Sequence, residues 1–369
     1  MKGIIEFCKR EFLVIISGAA ALVSCLFVPV TNYMDYVNAD TIGLLFCLMI
    51  AVAGFRECNL LAAVSRKLLG NSETVYSRKT GTILVFITFF AAMLVTNDVA
   101  LIAFVPLTVV LLGSCPGTMI YVVTVQTAAA NLGSMLTPFG NPQNLFLYDK
   151  YDMTPSEFFS TTAPVFAVSA LLVLILCAFI KNQPLEAVKR DEVTIRNKSY
   201  LALYIVLFIL CLLAVFGVLD VIVVFASVCA VAVIIDLRLF AGVDYGLLLT
   251  FTFFFIFVGN IQNIEAVRTF VTDIIGGNEM LAAAAASQVI SNVPAAFMLS
   301  GFTDNGRALV LGTNIGGLGT LVASLASVIS FRIYLETDGA KPVKYLGVFT
   351  AVNIALLAVI YPFAHFFCA

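Results

Sequence analysis

Thr96-Asn97-Asp98 stands inside an apolar tract running from Thr80 to Leu112, and Asp98 is the only carboxylate in that tract. A carboxylate at the centre of a bilayer costs about 2.5–3.5 kcal/mol on insertion scales, so it needs a proton, a cation or a buried partner. No Lys or Arg of the tract lies within helical reach of it. Asp98 could also cap a helix that starts there, where the dipole is positive. A second apolar tract, 279 to 302, carries Ser291-Asn292-Val293-Pro294, again a small hydroxyl residue followed by Asn. Downstream of each tract the same spacing recurs: Asn131-Leu-Gly-Ser-Met-Leu-Thr137 in one half and Asn314-Ile-Gly-Gly-Leu-Gly-Thr320 in the other.

These residue types suit the dehydration of a small solute. Asn97, Asn131, Asn292 and Asn314 offer both donors and acceptors, and Thr96, Ser291, Thr137 and Thr320 add hydroxyls. Gly133, Ser134, Pro138, Gly140 and Pro142 cannot all lie within an unbroken helix, so a span over 117 to 148 should unwind between Asn131 and Asn141. Gly312, Gly316, Gly317 and Gly319 should do the same for 306 to 334. Unwinding exposes carbonyls to a cation and frees helix amino-terminal amides for an anion. The candidate substrate or ion site is therefore Thr96, Asn97, Asp98, Asn131, Ser134, Thr137, Asn141, Asn144, Ser291, Asn292, Asn314, Gly316, Gly317 and Thr320, with Gln143 beside Asn144. A sodium ion would fall to Asn97, Asn131, Asn292 and Asn314. The alternative for each is structural: hydrogen bonds that close the tips of the tracts against the broken spans.

Such residues need a membrane frame. The 369 residues are 61% hydrophobic and 11% charged, with mean hydropathy +1.05, which marks an all-α polytopic membrane protein. The tract from Thr80 to Leu112 would be roughly 50 Å long as one helix, against a hydrocarbon core of about 30 Å, and each arm beside the triplet is too short to cross alone. A re-entrant hairpin with its tip in mid-membrane satisfies both limits, and backbone that leaves the helix there must be buried or line a wet cavity. Other spans are expected at 11–30, 41–55, 157–180, 200–218, 221–236, 243–262 and 343–367, giving nine full crossings and two hairpins, to within one. Segment 56–70, with Arg56, Glu57, Arg66 and Lys67 beside leucines, reads as an amphipathic surface helix.

Basic residues orient the chain, because Lys and Arg concentrate on the cytoplasmic side. Lys2, Lys9 and Arg10 place the amino terminus inside; the run after them reads as an uncleaved first span. Arg66, Lys67, Arg78 and Lys79 bring the first hairpin in from the cytoplasm. The polar stretch 181–199, with Lys181, Lys189, Arg190, Arg196 and Lys198, is cytoplasmic, and the carboxyl terminus falls outside. The second tract is then approached from the opposite face. Two inverted repeats follow, each with a re-entrant hairpin and a broken helix: residues 1–181 (hairpin 80–112, broken helix 117–148) and 219–369 (hairpin 279–302, broken helix 306–334), joined by a connection and linker helix over 182–218. Ala-Val-Ala-Gly54 and Ile-Phe-Val-Gly259, each ahead of an amphipathic segment, fit the same duplication.

Thr96-Asn97-Asp98 through Pro106, Asn131-Leu-Gly-Ser through Gly140-Asn-Pro-Gln-Asn144, Ser291-Asn-Val-Pro294 and Asn314 through Gly319 together resemble the ion transporter superfamily of arsenite permeases, sodium/proton antiporters, and citrate and dicarboxylate transporters. The resemblance implies a scaffold plus a transport domain, substrate between two hairpin tips, a homodimer and elevator-like movement. In the dicarboxylate branch the tip motif is Ser-Asn-Thr in both halves; here Asp98 and Val293 stand at the third positions, so the Thr-Asn-Asp form is closer to the arsenite permease and citrate-transporter-like branches.

The expected function is secondary active transport of a small anion or its neutral acid, an arsenite-like oxyanion or a citrate or dicarboxylate, across the plasma membrane, driven by protons or sodium. Sodium/proton antiport is the alternative. An enzyme lacks support: the sequence has a single histidine, His365, expected at the interface, and no Cys-x-x-Cys pair or paired carboxylates. The sequence also holds no basic patch for nucleic acid and no Walker motif, so neither nucleic acid nor an ATPase subunit is expected as a partner. No cofactor is expected beyond sodium as a coupling ion, and the bilayer and the transported ion are the expected partners.

Overall fold

The computed structural model describes residues 12–28, 33–69, 76–185 and 194–368. Lys2, Lys9, Arg10, Lys189 and Arg190, used above for orientation, lie outside the described residues.

In chain order the helices are α1 (Phe12–Ser24), α2 (Tyr33–Tyr36), α3 (Ala39–Glu57), α4 (Leu60–Leu69), α5 (Ser77–Val95), α6 (Asn97–Leu112), α7 (Pro116–Ser134), α8 (Pro142–Lys150) and α9 (Pro155–Ala178). After the polar connection come α10 (Lys198–Val215), α11 (Val221–Ile235), a 3-10 turn (Leu237–Gly242), α12 (Tyr245–Gln262) and α13 (Glu265–Ile275). The remainder is α14 (Glu279–Ile290), α15 (Asn292–Ser300), α16 (Gly306–Gly316), a 3-10 turn (Leu321–Ala323), α17 (Leu325–Leu335) and α18 (Pro342–Phe367). Helices α3, α5, α9, α10, α12 and α18 are each long and apolar enough to cross a membrane; for α5 this corrects the expectation that neither hairpin arm could cross alone, because the helix begins at Ser77, ahead of the apolar tract, and runs 19 residues. The protein is an all-α polytopic membrane protein; over 11–30, 117–148, 221–236 and 306–334, where crossings are also expected, its helices are shorter or interrupted.

The chain forms two compact units. The first comprises residues 1–55, 199–278 and 297–304. Its α1 packs along α12, where the Asn260 amide donates to Ser24 Oγ at 3.0 Å. Phe297 sits among Phe251, Phe254 and Phe255, with ring centroids 4.5 Å from the first and 5.0 Å from the last. Gly54 and Gly259, matched in the sequence, play matched parts: each lets a tyrosine ring, Tyr204 and Tyr36 respectively, lie where a Cβ would be. Ring packing of this kind supplies helix association where lipid offers no hydrophobic contrast.

The second unit comprises residues 56–198, 279–296 and 305–369, and it contains both tip motifs and both broken spans. Helices α5 and α6 pack side by side, joined only by Thr96, and both lie against α7. Gln126 on α7, fully buried, ties the two arms: its Nε2 donates to Thr88 Oγ1 of α5 and its Oε1 accepts from Thr108 Oγ1 of α6, each at 2.7 Å. Ser77 fastens the start of the hairpin, donating to the Lys181 carbonyl at 2.6 Å and accepting from the Gln183 N–H.

The unwinding expected between Asn131 and Asn141 begins later than the glycines suggested. Helix α7 continues through Gly133 and ends at Ser134, leaving 135–141 as the break; α16 likewise continues through Gly312 and ends at Gly316. Those three glycines serve packing instead. A Cβ on Gly133 would strike the Phe89 carbonyl of α5, one on Gly312 the Met280 backbone of α14, and one on Gly316 the Ala284 backbone and Ser287. Gly319, at φ +103, is the glycine that unwinding requires.

Candidate functional site

Both tips turn on a single strained residue. Thr96 has φ 73 and ψ 154, and Ser291 has φ 75. For Thr96 this is a region essentially reserved for glycine, with a cost of about 1–3 kcal/mol, and such strain concentrates at functional sites. After each turn the Asn side chain folds back to accept the next N–H: Asp98 N donates to Asn97 Oδ1 and Val293 N to Asn292 Oδ1, both at 3.0 Å. One geometry therefore presents a half-buried carboxylate at one tip and an isopropyl group at the other.

The tips converge on one buried lattice. Asn97 Nδ2 donates to Asn131 Oδ1 at 3.1 Å, and Asn131 Nδ2 donates to the Gly317 carbonyl at 3.3 Å. Asn292 reaches the same place from the other side, its Nδ2 3.2 Å from where a Cβ on Gly317 would stand. A second set of amides crosslinks the breaks: Asn141 Nδ2 donates to Asn314 Oδ1 at 2.9 Å, and Asn314 Nδ2 donates to Asn144 Oδ1 at 2.6 Å. Asn141 also caps α8 by accepting from Asn144 N, and its Nδ2 donates to Ser134 Oγ.

These bonds divide the expected site residues. Asn131, Asn141, Asn144 and Asn314 each commit both amide hydrogens and the oxygen to protein partners, whereas Asn97 commits one hydrogen and its oxygen and Asn292 its oxygen, which leaves amide hydrogens at the tips for a solute. Ser134 Oγ donates to the Asn131 carbonyl and lies within the lattice. Thr137 and Thr320 point away from it, their hydroxyls donating to Met93 O at 2.6 Å and Gln288 O at 3.0 Å. Gly316 is a packing position on α16, and Gly317 supplies the carbonyl on which the halves meet. Gln143 is buried beside the lattice, and His365 is exposed near the end of α18. Among the described residues no three of His, Cys, Asp or Glu cluster, so a cation would rely on amide, hydroxyl and backbone oxygens.

The register of the two halves agrees in detail. Met93 and Gln288, whose carbonyls receive the two threonine hydroxyls, each stand three residues before their tip. Phe89 and Ala284, against which Gly133 and Gly316 pack, each stand seven before.

Sequence reasoning missed Gln288 and Gln126. Gln288 Nε2 donates to the Gly316 and Leu318 carbonyls at 2.8 and 2.9 Å, while its Oε1 accepts from Thr320 N at 2.9 Å. The signal was present, since each is an uncompensated amide within an apolar tract, where polar side chains are costly without a partner. Ser324 and Ser327 were missed too; they complete Asn131, at 3.0 and 3.5 Å, and nothing in their spacing distinguished them from small packing residues.

A family described as citrate transporter matches residues 4–305 of the chain. Uncharacterized transporter MJ0456 of Methanocaldococcus jannaschii is 33% identical over 361 residues, covering 96% of this chain and 97% of that protein. Inner membrane protein YbiR of Escherichia coli is 30% identical over 305 residues, covering 80% of each.

Proposed function

The chain belongs to the citrate transporter family of membrane proteins, and from that premise we propose that it is a secondary active transporter whose substrate sits between the tips Thr96-Asn97-Asp98 and Ser291-Asn292. The substrate is a small carboxylate or oxyanion, or its neutral acid, moved by coupling to a proton or sodium gradient. The observation that carries this reading is the convergence of two tips, each turning on a positive-φ residue, through Asn131 and Gly317, on one buried amide lattice. In it the tip amides and hydroxyls replace the substrate's water. The saturated asparagines hold the tips in place without touching the solute, since pre-organised donors lower the cost of dehydration.

Asp98 supplies the coupling. A carboxylate at this depth is cheapest when neutral, so it favours the loaded state with a proton or cation aboard and disfavours the empty charged state. Both tips and both breaks belong to one compact unit, which supports carrying the site across the membrane as a body, in the elevator manner. The matched register of tips, glycines and threonines supports two inverted repeats. The cytoplasmic amino terminus, the outside carboxyl terminus, the plasma membrane location and the homodimer belong to the same proposal.

The test is flux into proteoliposomes of citrate, succinate or arsenite under imposed proton or sodium gradients. Asp98→Asn is expected to abolish gradient-driven accumulation while sparing substrate exchange without a gradient. Full accumulation by the variant would remove Asp98 from coupling, and sodium/proton exchange with no organic or oxyanion substrate would replace this reading with antiport.

A further inference from the structure

The two breaks expose backbone carbonyls of the kind that coordinate a cation when a membrane helix unwinds. In this chain each set already has an occupant. Asn144 Nδ2 lies within hydrogen-bond distance of three carbonyls of the first break, Ser134 at 3.4 Å, Met135 at 3.3 Å and Thr137 at 3.1 Å. Gln288 Nε2 donates to the Gly316 and Leu318 carbonyls of the second break at 2.8 and 2.9 Å and lies 3.2 Å from the Ala284 carbonyl of its own helix α14. An amide group carries two hydrogens: those of Gln288 match the two carbonyls of its break, while Asn144 faces three, more than it can bond fully.

The opposite end of each carboxamide is fixed as firmly. Asn144 Oδ1 accepts from Asn314 Nδ2, and Gln288 Oε1 accepts from Thr320 N. The backbone is shaped around the second occupant: Gly319 has φ +103, and a Cβ there would strike Gln288 Oε1. Admitting a metal ion to either group of oxygens would require the side chain to leave, freeing both ends of the buried Asn144 amide or of the half-buried Gln288 amide.

We infer that Asn144 and Gln288 are resident substitutes for a cation, each placing the positive end of its amide dipole in a carbonyl cage, so that this transporter runs independently of sodium. The inference rests on the transport reading above and specifies its coupling: with both cages occupied, the gradient acts at Asp98 through protons. It also turns the sodium site expected at Asn97, Asn131, Asn292 and Asn314 into a structural amide lattice.

The test uses the purified full-length protein and sodium chloride alone, titrated against N-methylglucamine chloride at constant ionic strength, with the thermal midpoint as readout. The wild type is expected to be flat. Gln288→Glu and Asn144→Asp replace the donor with a second carboxylate oxygen facing carbonyls, and each is expected to gain a saturable, sodium-dependent rise of several degrees, because binding to the folded state alone raises the midpoint. A saturable rise in the wild type overturns the inference, and so does a folded Gln288→Glu or Asn144→Asp protein that ignores sodium. If neither variant folds, the wild-type titration decides, together with proton-driven flux in sodium-free vesicles: flux retained supports the inference, flux restored only by sodium overturns it. Absence of flux of any substrate under any gradient would instead strike the transport reading, leaving the sodium titration to stand separately.

Discussion

The two breaks perform the same structural task with the same chemical group, delivered from different places. In the first, the amide comes from Asn144, on the helix that resumes after the break; in the second it comes from Gln288, on the arm that leads into the tip. The position equivalent to Gln288 in the first half is Met93, whose thioether cannot donate. The second tip is thus tied to its break by the Gln288 side chain and by the Thr320 hydroxyl on the Gln288 carbonyl. The first is tied by the Thr137 hydroxyl on the Met93 carbonyl and by Asn97 N on the Gly140 carbonyl. The two breaks share the requirement, a filled carbonyl cage, and differ in the residue that meets it.

The comparison breaks most visibly at the lattice. Asn314→Ala removes the acceptor of Asn141 and the donor to Asn144, orphaning buried ends at about 1–3 kcal/mol each, so a loss of roughly 2–5 kcal/mol is expected. Asn131→Ala orphans the Asn97 amide and Ser324 and should cost a similar amount. Thermal unfolding of the purified proteins measures both. A large loss at one and none at the other would mean that the halves do not share the load, against the equivalence argued from their register.

The glycines give the next largest effect. Gly133→Ala and Gly316→Ala each force a methyl group into the facing arm, an overpacking cost of about 1–3 kcal/mol. Gly133 should suffer more, because its obstacle is the Phe89 carbonyl, whereas Gly316 meets Ser287 side-chain atoms as well as the Ala284 backbone. Gly347→Ala on α18, with nothing near its Cβ position, is the control and should stabilise by about 0.5–1 kcal/mol.

These glycines also mark where the sequence could be read and where it could not. The spans, both polar tips and the recurrence of Asn-x-Gly with a later Thr were legible because hydropathy and spacing are properties of the chain alone. The role of each glycine was not. The same residue serves unwinding at Gly319 and close helix approach at Gly133, and only the neighbouring backbone distinguishes them. Of the expected site residues, Thr137, Thr320 and Asn144 have their polar groups committed to backbone carbonyls and, for Asn144, to Asn314. Gln288 went unread for the same physical reason: a lone amide in an Ala-rich tract shows that a partner must exist but not which one.

The smallest expected effect is the most informative about function. Thr96→Gly and Ser291→Gly each place glycine where φ is positive, relieving strain of about 1–3 kcal/mol, while freeing the unfolded chain returns most of an additional kcal/mol or so. The net change in stability should therefore be small and stabilising, larger for the β-branched Thr96 than for Ser291. Flux should fall in both, because the hydroxyl that would contact the solute is gone. Stability and flux moving in opposite directions would show that the tips hold their conformation for transport at the expense of the fold. A loss of both would mean that the hydroxyls are part of the frame, and the carboxamides of Asn97 and Asn292 would then be left as the groups that meet the solute.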